Sequence, residues 1–264
     1  MISDFFLALL LALIQGLTEF LPVSSSAHLL FPSFIFGTKD FGIVFDISVH
    51  AGTLVAVIYY FKNEISGLIH AWSPWVENRS KANFLLGQHL LIATLPIMLV
   101  GLIFSDLTES RSSSIDSIAW ANLIFAGLLY AVFKSSAQSK SLAELTLITA
   151  LIIGCFQALA VFPGASRSGM AITGALLIGL NLKDTSKFAF LLSIPTILGA
   201  LILMLAKGAY SISIDDLLII FTGFIGSAFV AFFTIKTFLQ FVERIGMTPF
   251  VVYRVALGLI LLFL

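Results

Sequence analysis

The chain has 264 residues, of which 59% are hydrophobic and 11% charged, with a mean hydropathy of +1.08. A soluble domain carries about 25% charge, so this composition excludes a water-facing globular surface and points to an integral membrane protein. Basic and acidic residues number 14 each, which leaves no basic excess and therefore no nucleic acid partner. The single Cys155 excludes an internal disulfide and a cysteine-rich metal site. The N-terminus lacks the basic region and small-residue cleavage site of a signal peptide, so the first segment is expected to stay.

In chain order, residues 4–37 come first: apolar, but broken at LPVSSS. Three apolar runs of helix length follow, over 43–61, 85–104 and 117–133. Residues 142–180 are apolar again, and are broken at FPGASRS. Three more runs occupy 188–206, 217–235 and 249–264. The spacing predicts an all-α membrane fold with six transmembrane helices. Each half of the two broken regions is short for a span of about 20 residues. A Pro, small polar residues and a helix restart at membrane depth predict a helix pair that enters and returns. Irregular backbone of that kind survives only where it is buried or lines a wet cavity.

The two breaks resemble each other. IQGLTEFLPVSSSAH and FQALAVFPGASRSG both run Gln, four residues, Phe, then Pro and a Ser cluster, with the Pro offset by one. Each break is followed by three spans, which predicts an internal repeat, about 1–140 and 141–264, within a single membrane domain. Three spans per copy is odd, so the second copy is expected upside down, as in transporters built from inverted repeats. With both termini outside, Lys62, Arg79, Lys81, Lys134, Lys140, Lys183, Lys187, Lys236 and Arg244 fall inside, against Lys39, Arg111 and Lys207 outside. The positive-inside rule favours that orientation. It faces the first re-entrant pair outward and the second inward, with their tips meeting.

An ionisable group at a helix centre in the membrane costs about 2.5–3.5 kcal/mol on insertion scales. Glu19, His28 and Arg167 all lie at the breaks. Gln15 and Glu19 stand four apart on one helix face. Ser24 and Ser25 precede His28 by four and three residues, within reach of its ring. PVSSS and PGASRS are helix starts, where free backbone N–H groups meet an anion. Gln15, Ser24, Ser26, Ser166 and Ser168 are thus candidate substrate-binding residues, and Arg167 adds a guanidinium fork suited to phosphate oxygens. Glu19, with the Gln15 amide beside it, is a candidate oxygen ligand pair for a divalent cation. A serine activated by His28 suits attack on phosphorus. Taken singly, each residue also has a structural reading: the serines as helix caps, His28 as a satisfied buried ring, Arg167 as a counter-charge to Glu19. Asp46 and His50 in FDISVHAGT either pair with each other or support the site. His70 and His89 read as structural or interfacial, and Arg254 as a structural or rim residue.

QGLTEFLPVSSSAHL and FPGASRSG resemble the (E/Q)GxTEFLPxSSxxHL and PGxSRSG motifs of the bacterial undecaprenyl-pyrophosphate phosphatases of the bacitracin-resistance type. FDISVHAGTLVAV, FAFLLSIPTILGA and YRVALG extend the likeness along the chain. The resemblance implies six spans plus two re-entrant pairs. It implies hydrolysis of undecaprenyl pyrophosphate to undecaprenyl phosphate, the lipid carrier of peptidoglycan synthesis, in the inner membrane with a site open to the periplasmic side. It also implies a divalent cation, Mg²⁺ or Ca²⁺, and is compatible with a homodimer. By position, Gln15 and Glu19 match the acidic pair, Ser24 and Ser25 the two serines, with Ser25 the expected nucleophile. His28 matches the motif His, and Ser166 and Arg167 the phosphate-binding pair. Two departures stand out. Gln15 leaves one fewer carboxylate, and Ala171 takes a slot where members often carry Thr, with Thr173 two further on. The competing reading from the residues is a lipid-phosphate transporter or flippase without hydrolysis.

Overall fold

The computed structural model describes residues 2–75, 79–104, 114–207 and 214–263. Arg111 and the side chain of Lys207, both used in the charge count above, lie outside them. The described residues form eleven α-helices: α1 (Ile2–Thr18), α2 (Ser25–Phe36), α3 (Gly42–Tyr60), α4 (Lys62–Trp72), α5 (Lys81–Ile103), α6 (Ile115–Ser135), α7 (Leu147–Ala158), α8 (Arg167–Leu177), α9 (Leu182–Lys207), α10 (Ile214–Ile245) and α11 (Thr248–Leu262).

Five of them, α3, α5, α6, α9 and α10, are long and apolar enough to cross a membrane. The run expected as a sixth span, 249–264, gives the 15-residue α11, about 22 Å at 1.5 Å per residue, against a hydrocarbon core of about 30 Å. Large apolar side chains such as Phe6, Leu102, Phe221, Phe229 and Ile148 stand exposed along the helices. A soluble protein rarely exposes such a belt; lipid covers it, and the chain is a multi-pass membrane protein. Local chemistry sets many of the helix ends. Ser80 and Ser114 accept the amides of Asn83 and Ser117 at the starts of α5 and α6, and Thr146 and Thr149 bond reciprocally at the start of α7.

The helices that carry the site pack by close backbone approach. α3 lies on α10, α1 on α10, α7 on α5, and α11 on α6. At Gly52 in α3 an added Cβ would meet the Phe224 carbonyl oxygen and the Ser227 hydroxyl of α10 at 2.2 Å each. Ser227 Oγ also donates to the Val49 carbonyl at 2.9 Å. Gly154 in α7 approaches Ala93 of α5 in the same way, its added Cβ falling 2.5 Å from the Ala93 oxygen. Small residues at such crossings let membrane helices gain van der Waals contact. Gly52→Ala is therefore expected to force α3 and α10 apart and to destabilise the fold by about 1–3 kcal/mol, read as a lower melting temperature in detergent. α8 is buried on nearly all sides, Ser168 to Leu176 being enclosed, so the second break sits in the interior of the bundle.

Candidate active site

Each break is built from the same local parts. α1 ends at Thr18, whose hydroxyl donates back to the Ile14 carbonyl at 2.7 Å. Pro22, with no N–H to continue a helix, follows. Ser24 then adopts φ 72° and α2 begins at Ser25. In the second break, Pro163 and Gly164 (φ 96°) precede Ser166 at φ 70°, and α8 begins at Arg167. Left-handed backbone at a residue other than glycine costs about 1–2 kcal/mol and is concentrated at functional sites. Here it falls on the serine that precedes the restarted helix in both breaks. Ser168 Oγ donates to the Leu21 carbonyl at 2.8 Å, joining one break to the other.

Glu19 is the hub. It is buried, 5% exposed. Its Oε1 pairs with the Arg167 guanidinium from the opposite break. Its Oε2 accepts from Ser25 Oγ at 2.6 Å and from Gln15 Nε2 at 2.8 Å. His50 of α3 brings Nε2 to 3.7 Å from the same oxygen. Arg167 Nη1 donates to the Ser193 carbonyl of α9 at 3.3 Å. A hydroxyl whose proton already points at a carboxylate, beside a guanidinium, is arranged for nucleophilic attack on an anionic centre.

His28 is held apart from that cluster. Its Nδ1 lies 2.7 Å from the Ser24 carbonyl, and its Nε2 lies 2.6 Å from the Tyr253 hydroxyl. A carbonyl only accepts, so Nδ1 carries the hydrogen and the phenol donates to Nε2. The serine run thus reaches the ring through the Ser24 backbone, whereas Ser25 turns to Glu19. Ser24 and Ser26 face each other at 3.4 Å, and Ser166 and Ser168 at 3.2 Å. Ser166 Oγ also accepts the Gly169 amide at 3.1 Å, capping α8, whereas Ser24 makes no side-chain cap.

The family model described as Bacitracin resistance protein BacA matches residues 8–260. This chain belongs to the BacA family. It is 47% identical over 262 residues to an undecaprenyl-diphosphatase of Teredinibacter turnerae, covering 98% of both chains. It is 44% identical over 261 residues to that of Alcanivorax borkumensis, again 98% of both. To that of Saccharophagus degradans it is 42% identical over 257 residues, 97% of this chain and 96% of the relative.

Three residues of this BacA chain gain a place that the sequence alone left open or missed. His50 bonds the backbone oxygen of Asp46 through Nδ1 at 2.7 Å and turns Nε2 toward Glu19; the i, i+4 spacing signals a contact but not its direction. Arg254 is fully buried rather than at a rim. It donates to the Gly164 and Ala165 carbonyls at 2.9 and 3.0 Å and to Asn122 Oδ1 at 3.1 Å. Tyr253, beside it, carries no sequence signal for its contact with His28. At the other departure, Ala171 is buried, and Thr173 spends its hydroxyl on the Gly169 carbonyl at 2.7 Å within α8. Thr173 therefore supplies no hydroxyl to the cluster around Glu19.

Proposed function

We infer that this protein hydrolyses undecaprenyl pyrophosphate to undecaprenyl phosphate and inorganic phosphate, returning a lipid carrier to envelope synthesis. Family membership and three full-length relatives named undecaprenyl-diphosphatase support the reaction. The single observation that carries the site is the Ser25–Glu19–Arg167 cluster, assembled from both breaks inside an apolar bundle.

In the mechanism that fits, the diphosphate head reaches the cluster while the prenyl tail stays in lipid. Arg167 has five N–H donors and gives Glu19 and Ser193 one contact each, so donors remain for phosphate oxygens. The N-terminal amides of α2 and α8 add partial positive charge. Ser25 Oγ attacks the terminal phosphorus in line, its proton passes to Glu19, and the P–O bond to undecaprenyl phosphate breaks with its electron pair on the leaving oxygen. Water then attacks the phosphoserine, Ser25 regains a proton and inorganic phosphate leaves. Direct attack by water calls on the same residues.

A divalent cation suits these residues. Mg²⁺ is commonly held through one or two carboxylates together with substrate phosphates. Gln15 Oε1, next to Glu19, is a buried oxygen with no partner among the described residues. Gln15 and Glu19 would hold the cation, and when bound it neutralises charge on the diphosphate.

The membrane architecture that goes with this reading is six crossings, with α11 as the sixth, and two re-entrant pairs, α1–α2 and α7–α8, in inverted repeats. Much of the packing is in line with it, with the α6–α8 and α8–α9 contacts among the exceptions. Matching α1 to α7, α2 to α8, α3 to α9, α5 to α10 and α6 to α11 turns the α1–α10 contact into α7–α5, α3–α10 into α9–α5, and α1–α2 into α7–α8, while α3–α9 and α6–α11 map onto themselves. The ion pair of Lys187 with Glu64 at 2.9 Å and the bond from the Lys140 amide to Gly179 at 2.9 Å join segments assigned to the inner side. We place the protein in the inner membrane with its site open outward. The same symmetry is what a lipid-phosphate transporter has. Phosphate release in detergent separates the two readings, because transport leaves no signal there.

A further inference from the structure

We propose that Tyr253 and Arg254, neighbours on α11, are positioning residues that hold one break each and so align the two halves of the site. The inference rests on the hydrolase reading above.

Consecutive residues on a helix point about 100° apart, which lets one short stretch of α11 address two partners. Tyr253 takes the first break. Its hydroxyl donates to His28 Nε2 at 2.6 Å, with the two rings edge to edge, their centroids 5.6 Å apart and their planes 11° from parallel. With Nδ1 committed to the Ser24 carbonyl, the imidazole is fixed at both nitrogens. That ties the left-handed Ser24, the residue before Ser25, to α11 through one ring.

Arg254 takes the second break. Its Nη2 binds the carbonyls of Gly164 and Ala165, and its Nε binds Asn122 of α6. A trans peptide points its N–H opposite to its C=O, so a carbonyl of Ala165 turned to Arg254 sends the Ser166 amide away from α11. Nη1, buried without a partner among the described residues, packs on the first turn of α8: a Cβ on Gly169 would lie 3.0 Å from it. Gly164 is seated against the Ile118 carbonyl, 2.6 Å from where its Cβ would be. The peptides leading into Ser166 and Arg167 are thus clamped between α6 and α11. Neither Tyr253 nor Arg254 has a bond to Glu19 or Ser25, so Tyr253 acts through the His28 ring and Arg254 through the backbone it holds.

The test is the steady-state kinetics of phosphate release from undecaprenyl pyrophosphate in detergent, with melting temperature alongside. Tyr253→Phe keeps the ring and removes one oxygen. It is expected to lower kcat about tenfold, leaving KM within twofold and the melting temperature unchanged. Arg254→Met, of similar volume, is expected to lower kcat about 100-fold, the scale at which small misplacements of reacting groups are felt. Arg254→Lys is expected to rescue little, since a single ammonium does not reproduce the planar fork. Wild-type kcat in Tyr253→Phe overturns the proposal, as does a loss confined to KM or to stability. If Arg254→Met does not fold, Tyr253→Phe decides alone. Absence of release by the wild type is a different result: it removes the hydrolase reading itself.

Discussion

Arg167→Ala is expected to reduce phosphate release about 10³-fold or more, the scale of a guanidinium that stabilises phosphoryl-transfer charge. The same change strands Glu19, whose side chain is 4% exposed. Removing one partner of a buried ion pair costs about 3–5 kcal/mol. The variant is therefore expected to melt lower as well as to lose activity. Adding Glu19→Gln to Arg167→Ala removes the orphaned charge, so the double variant is expected to recover much of the stability and none of the activity. Arg167→Lys is expected to keep part of the pairing and to remain well below wild type, because an ammonium lacks the bidentate fork. Thermal unfolding and phosphate release, measured on the same preparations, separate the two roles.

Ser25→Ala is expected to lower release about 10³-fold or more while lipid binding persists, since a lost nucleophile removes the bond-making atom and little else. The contrast with its neighbours sharpens this. Ser24→Gly keeps a residue at ease with φ 72°, and Ser26→Ala removes a hydroxyl bonded only weakly, at 3.4 Å to Ser24. Both are expected to lose about tenfold or less. A Ser25→Ala variant that turns over at the wild-type rate would assign the attack to water.

How much of this is legible from residues alone depends on whether the signal is local. The two breaks stand out because Pro, serines and ionisable groups interrupt apolar neighbours, and their likeness brings Glu19 and Arg167 to one place although they are 148 positions apart. Five spans follow from length and hydropathy. The run 43–61 ends where α3 does, but α4 is missed, because its 11 residues open on Lys62, Asn63 and Glu64 and are too short and polar to register as a span. The direction of contacts is also invisible. Ser24 and Ser25 are both within helical reach of His28, and only the left-handed Ser24 backbone turns the Ser25 hydroxyl to Glu19 and leaves the ring to the Ser24 carbonyl. Tyr253 meets His28 across 225 positions, and a lone Arg in VYRVALG reads alike at a rim or in a core. Burial of Arg254 depends on carbonyls that the second break happens to present.

The most direct test of the account is inorganic phosphate released from undecaprenyl pyrophosphate by the purified wild-type protein in detergent, with and without Mg²⁺ or Ca²⁺. The account predicts one phosphate per lipid, undecaprenyl phosphate as the other product, and faster release with the cation. A folded protein that binds the lipid and releases no phosphate under either condition would contradict it, and would leave a membrane protein that carries the lipid without cleaving it.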